Sequence, residues 1–500
     1  MLTLANTNTT QAKNYYKKEN YYSEEEAQSN SQWQGEGASI VGLSGAIVDM
    51  DVYDNIVNGL SPDGKTQLRK KQNHEGKKER AGTDLTFSAP KSVSIACLVG
   101  GDTRLEEAHR NAVKRTIELI ESRYAQTRIN GQVVQTGNLI VAKWHHDTSR
   151  ELDPHLHTHC LIMNCTQGPD GKWRTISNKD FYRNKILLGQ IYRNELAIEC
   201  RKLGYEIEPH PKELFEIKGY TREQIEGFSK RHEQIKGKLI EMGVELTTEN
   251  KIWAWRKTRA KKNHEIGRDE KLPYWHEEAD LYSINHPIPQ QVLQTVTEEQ
   301  ITVEIERAVA TGIEHCSERK VAFNGEDIEK FVTAEVKPFS INQLEKAIAE
   351  HPELIKTFDG RYTTQTALAT ELATIKLMQQ GKGQVKQIAT QEAVESCLEN
   401  KKLTLGQKEA ISLTATTSDQ FIAWQGVAGA GKTYALNEVK QIAAALQDVA
   451  PGYTIKGFAP SAEAAKVLGE ELGIKANTVA RLLVSQQSEQ VQPNQIWVVF

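Results

Sequence analysis

The sequence predicts an α+β protein: an antiparallel sheet with flanking helices, then a mainly helical connector, then an α/β P-loop core. Three observations carry this expectation. The run HDTSRELDPHLHTH, from His146 to His159, joins two strand-like segments through a turn-rich loop and sets histidines along the second. Thr297 to Leu377 has mostly helical periodicity. A complete phosphate-loop pattern, GVAGAGKT, runs from Gly426 to Thr433. Five hundred residues exceed one ordinary core, and we assign 1–285 to the first domain, 286–398 to the connector and 399–500 to the P-loop core.

At the N-terminus, Tyr15, Tyr16, Tyr21 and Tyr22 form two pairs in KNYYKKENYYSEEE, followed by the cluster Trp33, Gln34, Gly35 and Gly37. By composition alone, aromatic pairs at helical spacing read as a packing face or a platform for bases. A tyrosine hydroxyl, with an ordinary pKa of about 10, attacks phosphorus only when a base or metal is near and the phosphate is polarised. Asp84 lies in GTDLTFSAPKSVSIACLVG, where Phe87 to Leu98 reads as a buried strand interrupted by Pro90. An aspartate after Gly and Thr is ordinarily a turn or capping residue. Its functional reading is an acceptor that orients a ligand histidine, or a base for a tyrosine proton. Lys91 and the hydroxyls of Ser88, Ser92 and Ser94 read as phosphate contacts or as plain surface residues.

Leu139 to Trp144 reads as a strand, and after Pro154 the residues His155, His157 and His159 alternate with Leu156, Thr158, Cys160 and Ile162. Period-2 alternation sets those histidines on one face. The third ligand is His145 or His146; periodicity leaves both open. Five histidines within fifteen positions, three of them on one strand face, are hard to produce by packing, so the stretch reads as a metal site. Nitrogen donors suit zinc, nickel, copper or manganese better than calcium, whereas phosphate chemistry more often recruits magnesium or manganese.

Phe181 to Leu203 and Thr221 to Met242 have helical periodicity. The stretch from Lys251 to Lys271 interleaves Trp253 and Trp255 with cations that include Arg259 and Lys262. That mixture suits single-stranded DNA, through base stacking and phosphate contacts, and equally suits a solvated helix with its tryptophans packed inward. Pro287 and Pro289 mark a linker, RYTT from Arg361 is strand-like, and QQGKGQ near Gly381 marks a further break.

In the P-loop, Gly426, Gly429, Gly431, Lys432 and Thr433 satisfy the spacing, with Phe421 to Trp424 read as the incoming strand and Tyr434 to Leu446 as the outgoing helix. Backbone N–H groups would cradle the phosphates of ATP, Lys432 would reach the terminal ones and Thr433 would hold magnesium. IWVVF, at the end of the chain, reads as another strand.

One histidine followed by Thr148, Ser149, Arg150, Asp153, Pro154, Leu156, His157, Thr158 and His159 resembles the metal motif of conjugative relaxases. The similarity is to the MobF (TrwC/TraI relaxase-helicase) class of HUH endonucleases, and it extends over the tyrosine pairs, GTDLTFSAPKSVS and the P-loop. It implies His146, His157 and His159 as ligands of a divalent metal, with His145 and His155 as neighbours. Magnesium or manganese is the implied working ion, zinc or nickel an alternative. It implies Tyr15 as primary nucleophile, Tyr21 as second, and a functional role for Asp84. It also favours the DNA-binding reading of Trp253, Trp255, Arg259 and Lys262. LTLGQKEAI resembles a superfamily 1 helicase segment in which Gln407 would read adenine. GFAPSAEAAKVL resembles motif Ia, in which Ser461 would touch DNA; a plain helix N-cap is its other reading. Together these are similar to a RecD-like motor. The family's magnesium-binding and hydrolytic acids would follow Phe500, so this chain is expected to bind nucleotide without translocating and to be the front of a longer protein.

The implied activity is nicking and joining of single-stranded DNA at a plasmid transfer origin through a 5'-phosphotyrosine. Accessory nicking proteins and a conjugative secretion machine are the implied partners. A rolling-circle replication initiator would use the same site, and a non-catalytic, nucleotide-dependent DNA-binding module with structural zinc is the alternative of another class. Composition fits a globular chain, with 38% hydrophobic and 26% charged residues, and the net charge of -4 averages over basic clusters such as Lys65 to Arg80. Six cysteines without a CxxC pattern, and no signal peptide or apolar span, predict a reduced, cytoplasmic protein; the resemblance implies a bacterial one encoded by a plasmid or mobile element.

Overall fold

Strands β1 (Leu2–Asn8), β2 (Ser31–Gln34), β3 (Arg80–Ser88), β4 (Val141–Thr148) and β5 (Pro154–Met163) form one sheet in the order β1-β3-β5-β4-β2 in a computed structural model of the chain. The structure describes residues 1–18, 30–69, 79–149, 151–210, 214–229, 268–290, 297–445, 453–484 and 495–499. Every strand pair in this sheet is antiparallel, as expected.

Both faces of the sheet are covered, which is why β4 is buried along its whole length. Leu85, Phe87, Val141, Leu156, Cys160 and Ile162 face the larger core, shared with helices α4 (Arg104–Tyr124) and α5 (Lys185–Lys202). Ala142, Trp144, Leu161 and Met163 face a second core that includes Ala12 of α1 (Thr9–Lys18) and Tyr53, Ile56 and Val57 of α2 (Met50–Val57). Asp49 caps α2 by accepting from the backbone N–H groups of Asp51 and Val52, each at 3.0 Å.

Two local expectations are corrected. Phe87 to Leu98 is not one interrupted strand: β3 ends at Ser88, Pro90 is the N-cap, and Lys91–Leu98 is helix α3. Ser92 through Leu98 are all buried, so the helix carries no amphipathic period to separate it from a core strand. Phe421 to Trp424 is not a strand either. Phe421 and Ile422 are 46% and 39% exposed, and the segment pairs with none of the described strands.

Helices α6 (Glu298–Ser317), α7 (Gly325–Val332) and α8 (Ile341–Glu350) place Ile305, Val309, Ile328 and Leu344 in the same core as the sheet. Asn194 on α5 donates to the carbonyl of Phe339 at 2.7 Å, and its own oxygen accepts from the Lys337 N–H at 2.6 Å. The chain therefore divides into compact units Met1–Gln365 and Thr366–Phe500, and most of the connector joins the first.

In the second unit, β6 (Thr454–Ala459), β7 (Lys475–Thr478) and β8 (Gln495–Val499) form a parallel sheet in the order β7-β6-β8. Helices α9 (Leu405–Thr416), α10 (Lys432–Ala445) and α11 (Ala462–Leu472) accompany it. Ile496 to Val499 of IWVVF lie in β8, in accord with their apolar pattern. Among the described residues no helix is long and apolar enough to cross a membrane.

Candidate active site

The β4–β5 pair sets the histidines. His146 stands directly opposite His157, and His145 opposite Thr158. Because alternate residues change face, His146, His157 and His159 share the side occupied by Trp144, Leu161 and Met163. His145 turns to the other side, so of the two only His146 shares a face with His157 and His159.

The ring centroids of His146, His157 and His159 form a near-equilateral triangle with sides of 5.1, 5.3 and 5.4 Å. With metal–nitrogen bonds of about 2.1 Å, imidazoles sharing one ion have centroids about 5 Å apart. The donor chemistry fits as well. His159 Nδ1 donates to Asp84 Oδ2 at 2.9 Å, and His157 Nδ1 donates to the carbonyl of His155 at 2.8 Å, which leaves Nε2 of each as the ligating nitrogen. The donor atoms are not yet gathered: among the described residues no group of three His, Cys, Asp or Glu converges on one point, and the His146 and His157 rings lie stacked at 23°.

Asp84 faces the site from β3, with Thr86 Oγ1 3.4 Å from the same Oδ2. The carboxylate thus stands where an acceptor that orients His159 would stand. Burial pushes the imidazoles of His145 and His155 well below the usual range, so both stand neutral beside the triad.

Helix α1 lies on the same face. Tyr53, fully buried on α2, donates its hydroxyl to the carbonyl of Ala12 at 3.3 Å, and Lys13 stands 3.9 Å from Asp54. Burial, then the nearby Asp84 charge, raises the Tyr53 hydroxyl well above its ordinary value, so it remains a donor. Tyr15 belongs to α1 by backbone, but its side chain lies outside the described residues. Tyr21, Trp253, Trp255, Arg259 and Lys262 lie outside them altogether.

Lys91 is turned inward, with Nζ donating to the carbonyl of Pro154 at 2.8 Å. Ser92 and Ser94 are buried, and their hydroxyls accept from the N–H groups of Ile217 and Leu156. The hairpin loop is held by Trp275, which the sequence reading passed over, and by Lys271, the last residue of the basic stretch that reading singled out. Trp275 Nε1 donates to the carbonyl of Leu152 at 2.7 Å, and Lys271 Nζ to Thr148 Oγ1 at 3.2 Å. Both lie more than a hundred residues from the loop, so no local pattern announced them. Also unanticipated is a cavity of about 630 Å³ lined by Arg80, Arg128, Lys172, Trp173 and Lys179 among others.

In the second unit, Gly429 and Gly431 take φ of 78° and 74°, the left-handed region that the loop reserves for glycine. Lys432 Nζ donates to the carbonyls of Gly426 at 2.8 Å and Val427 at 3.2 Å, and Thr433 follows it in the first turn of α10. Gln407 Nε2 donates to the carbonyl of Ala430 at 3.0 Å, which brings the adenine-reading candidate to the loop. Ser461 is the N-cap of α11, accepting from Ala464 N–H at 3.2 Å.

A five-stranded antiparallel sheet presenting three imidazoles beneath a helix that bears a tyrosine pair defines a protein with the relaxase fold of the HUH class. The sequence matches the family described as TrwC relaxase over residues 9–282, and the chain belongs to that family. Residues 402–499 match an AAA domain. A TrwC conjugative relaxase in complex with oriT DNA, in a metal-bound structure, is 37% identical with a TM-score of 0.53, covering 57% of this chain and 100% of that one. A TrwC complex with a 27-mer DNA comprising the recognition hairpin and the cleavage site is 36% identical, with a TM-score of 0.52 and the same coverage. The multifunctional conjugation protein TraI of Escherichia coli (strain K12) is 34% identical over 350 residues, which are 66% of this chain and 19% of that protein. The chain thus spans about a fifth of the length of its curated relatives.

Proposed function

We propose that this chain is a metal-dependent DNA transesterase that nicks and rejoins single-stranded DNA at a plasmid transfer origin, and that it carries a nucleotide-binding, helicase-like region. The observation that carries this reading is the triangle of His146, His157 and His159, with Asp84 fixing His159, on the face over which α1 lies. The relaxase-specific complexes of TrwC with oriT DNA support it.

In the proposed reaction the Tyr15 hydroxyl oxygen bonds to the scissile phosphorus and the bond from phosphorus to the 3' oxygen breaks. The DNA is left as a 5'-phosphotyrosine and a free 3'-hydroxyl. The tyrosine proton needs an acceptor, and Asp84 Oδ1, buried without a hydrogen-bond partner among the described residues, is available. A divalent ion on the three histidines, magnesium or manganese in function, supplies polarisation of the phosphate and stabilisation of its developing charge. No water is consumed, so the bond energy is retained for rejoining. Tyr21 serves a second exchange that ends transfer.

The cationic cavity around Trp173 suits DNA phosphates and bases, as do Lys91, Trp253, Trp255, Arg259 and Lys262. ATP with magnesium would be held by Gly426 to Thr433, with Gln407 reading the base and Ser461 contacting DNA. Accessory nicking proteins and a secretion machine complete the assignment.

The test is incubation with labelled single-stranded oligonucleotides and Mn²⁺, followed by denaturing electrophoresis. A covalent adduct specific to transfer-origin DNA is expected, and Tyr15→Phe together with Tyr21→Phe should abolish it. An adduct that persists in the double variant overturns the nucleophile assignment; no adduct with any DNA would leave a non-catalytic binding module.

A further inference from the structure

Behind the histidine face, on the opposite side of the sheet, runs a buried chain of hydrogen bonds that no step of the proposed reaction uses. The hydroxyl of Tyr192 on α5 bonds to Nδ1 of His109 on α4 at 2.7 Å, and His109 Nε2 bonds to Thr158 Oγ1 at 2.7 Å. Thr158 Oγ1 bonds in turn to His145 Nδ1 at 2.7 Å. His109, Thr158 and Tyr192 have no exposed surface. The chain therefore ties two helices to the β4–β5 pair from beneath.

Its place in the ladder is specific. Thr158 lies between His157 and His159, and its cross-strand partner His145 precedes His146. The next rung is His146 opposite His157, and directly beyond it the ladder becomes irregular between His146 and Thr148. The connecting loop passes through Leu152 at φ 63° and is too long to dictate register as a two-residue turn would. A slip of one residue would carry every histidine to the wrong face. Something other than the turn must hold this rung.

The chemistry of the chain makes it a firm clamp. Burial holds His109 down to about 3, so its imidazole is neutral with a single N–H. A neutral His109 donates to one of Tyr192 and Thr158 and accepts from the other, so its two bonds fix its tautomer. The Thr158 hydroxyl joins both imidazoles, and no apolar side chain replaces it.

We infer that the buried chain Tyr192–His109–Thr158–His145 is the positioning device of the metal centre, holding the β4–β5 rung so that His146, His157 and His159 share one ion. Thr158 and His109 then set metal affinity without touching metal. The inference rests on the histidine-triad reading above.

The test is Thr158→Val in the full chain, with Mn²⁺ binding measured by calorimetry and adduct formation followed against Mn²⁺ concentration. Outer partners of metal ligands typically carry about 10–100-fold in affinity. Mn²⁺ affinity should weaken by up to that factor, since the chain bonds none of the three ligands directly and acts through the rung, the adduct rate should recover at saturating Mn²⁺, and Thr158→Ser should restore both. A merely structural role would lower the melting temperature and leave Mn²⁺ affinity unmoved. Should Thr158→Val not fold, His109→Gln, which keeps an amide in the chain, is read in the same way. Wild-type affinity in either folded variant overturns the inference. If His157→Ala binds Mn²⁺ as the wild type does, the triad reading itself falls, and this inference with it.

Discussion

His159 Nδ1 donates to Asp84 Oδ2 at 2.9 Å across the β3–β5 pair, so the carboxylate decides which nitrogen of His159 faces the other two imidazoles. Asp84→Ala should weaken Mn²⁺ binding about 10–100-fold, the range seen when such outer partners are removed. Asp84→Asn keeps an acceptor oxygen and should lose less. Calorimetric titration checks both, and unchanged affinity in the alanine variant would sever Asp84 from the site.

Chelation should leave the first unit folded. Its two cores are built from apolar residues on both sheet faces, and the three histidines belong to neither. Metal removal should therefore stop adduct formation while far-ultraviolet circular dichroism stays unchanged, with only the melting shift that mass action demands. Loss of the folded signal on chelation would reassign the histidines to a structural site.

Arg123 on α4 donates to Glu329 on α7 at 2.6 Å and also pairs with Glu345 on α8. Glu329 is buried, and burial raises its carboxyl above the ordinary value despite the guanidinium beside it. Arg123→Ala would strand that carboxylate, and removing one member of a buried pair typically costs about 3–5 kcal/mol. Glu329→Gln should cost less, since Arg123 keeps Glu345. Urea unfolding of the two variants, compared with the wild type, tests the ordering.

The histidine hairpin was legible because period-2 alternation survives burial on both faces and because five clustered histidines have no packing rationale. The P-loop was legible because its glycines are demanded by positive φ at Gly429 and Gly431. By contrast, α3 was misread because a helix buried on every side has no period, and Phe421 to Trp424 because apolar character alone does not supply a strand partner. The packing of α6 to α8 against α4 and α5 was invisible for a different reason. It depends on pairs such as Arg123 with Glu329 and Asn194 with Phe339, which meet only after folding. Tyr53, Thr158, Lys271 and Trp275 act on the site through the same kind of long-range contact.

Lys432 Nζ rests on the carbonyls of Gly426 and Val427, and a nucleotide phosphate would draw it away. Lys432→Ala should reduce binding of a fluorescent ATP analogue at least about tenfold, by loss of a charge-assisted contact worth about 1.5–3 kcal/mol. Gly431→Ala should do the same by another route, since its Cβ would stand 2.5 Å from Gln407 Nε2 in a left-handed backbone. Neither variant should alter adduct formation with transfer-origin DNA; a parallel loss of both activities would mean that the nucleotide and the histidine sites are coupled.

Acid should destabilise the first unit through His109. Burial holds its imidazole down to about 3, against an ordinary value of 6.5, so the folded protein excludes a proton that the unfolded chain accepts. The stability it confers is present above pH 6.5 and is lost as pH falls towards 3, at up to about 1.4 kcal/mol per pH unit. His109→Gln removes the titrating ring and keeps hydrogen-bonding groups in the chain to Thr158 and Tyr192. It should lower stability at pH 7 but flatten the acid limb, because one fewer proton is taken up on unfolding. The buried neutral His145 and His155 keep the limb from vanishing. Urea midpoints at pH 7, 5 and 4 separate the outcomes, and equal slopes in both proteins would show that His109 carries no part of the acid response.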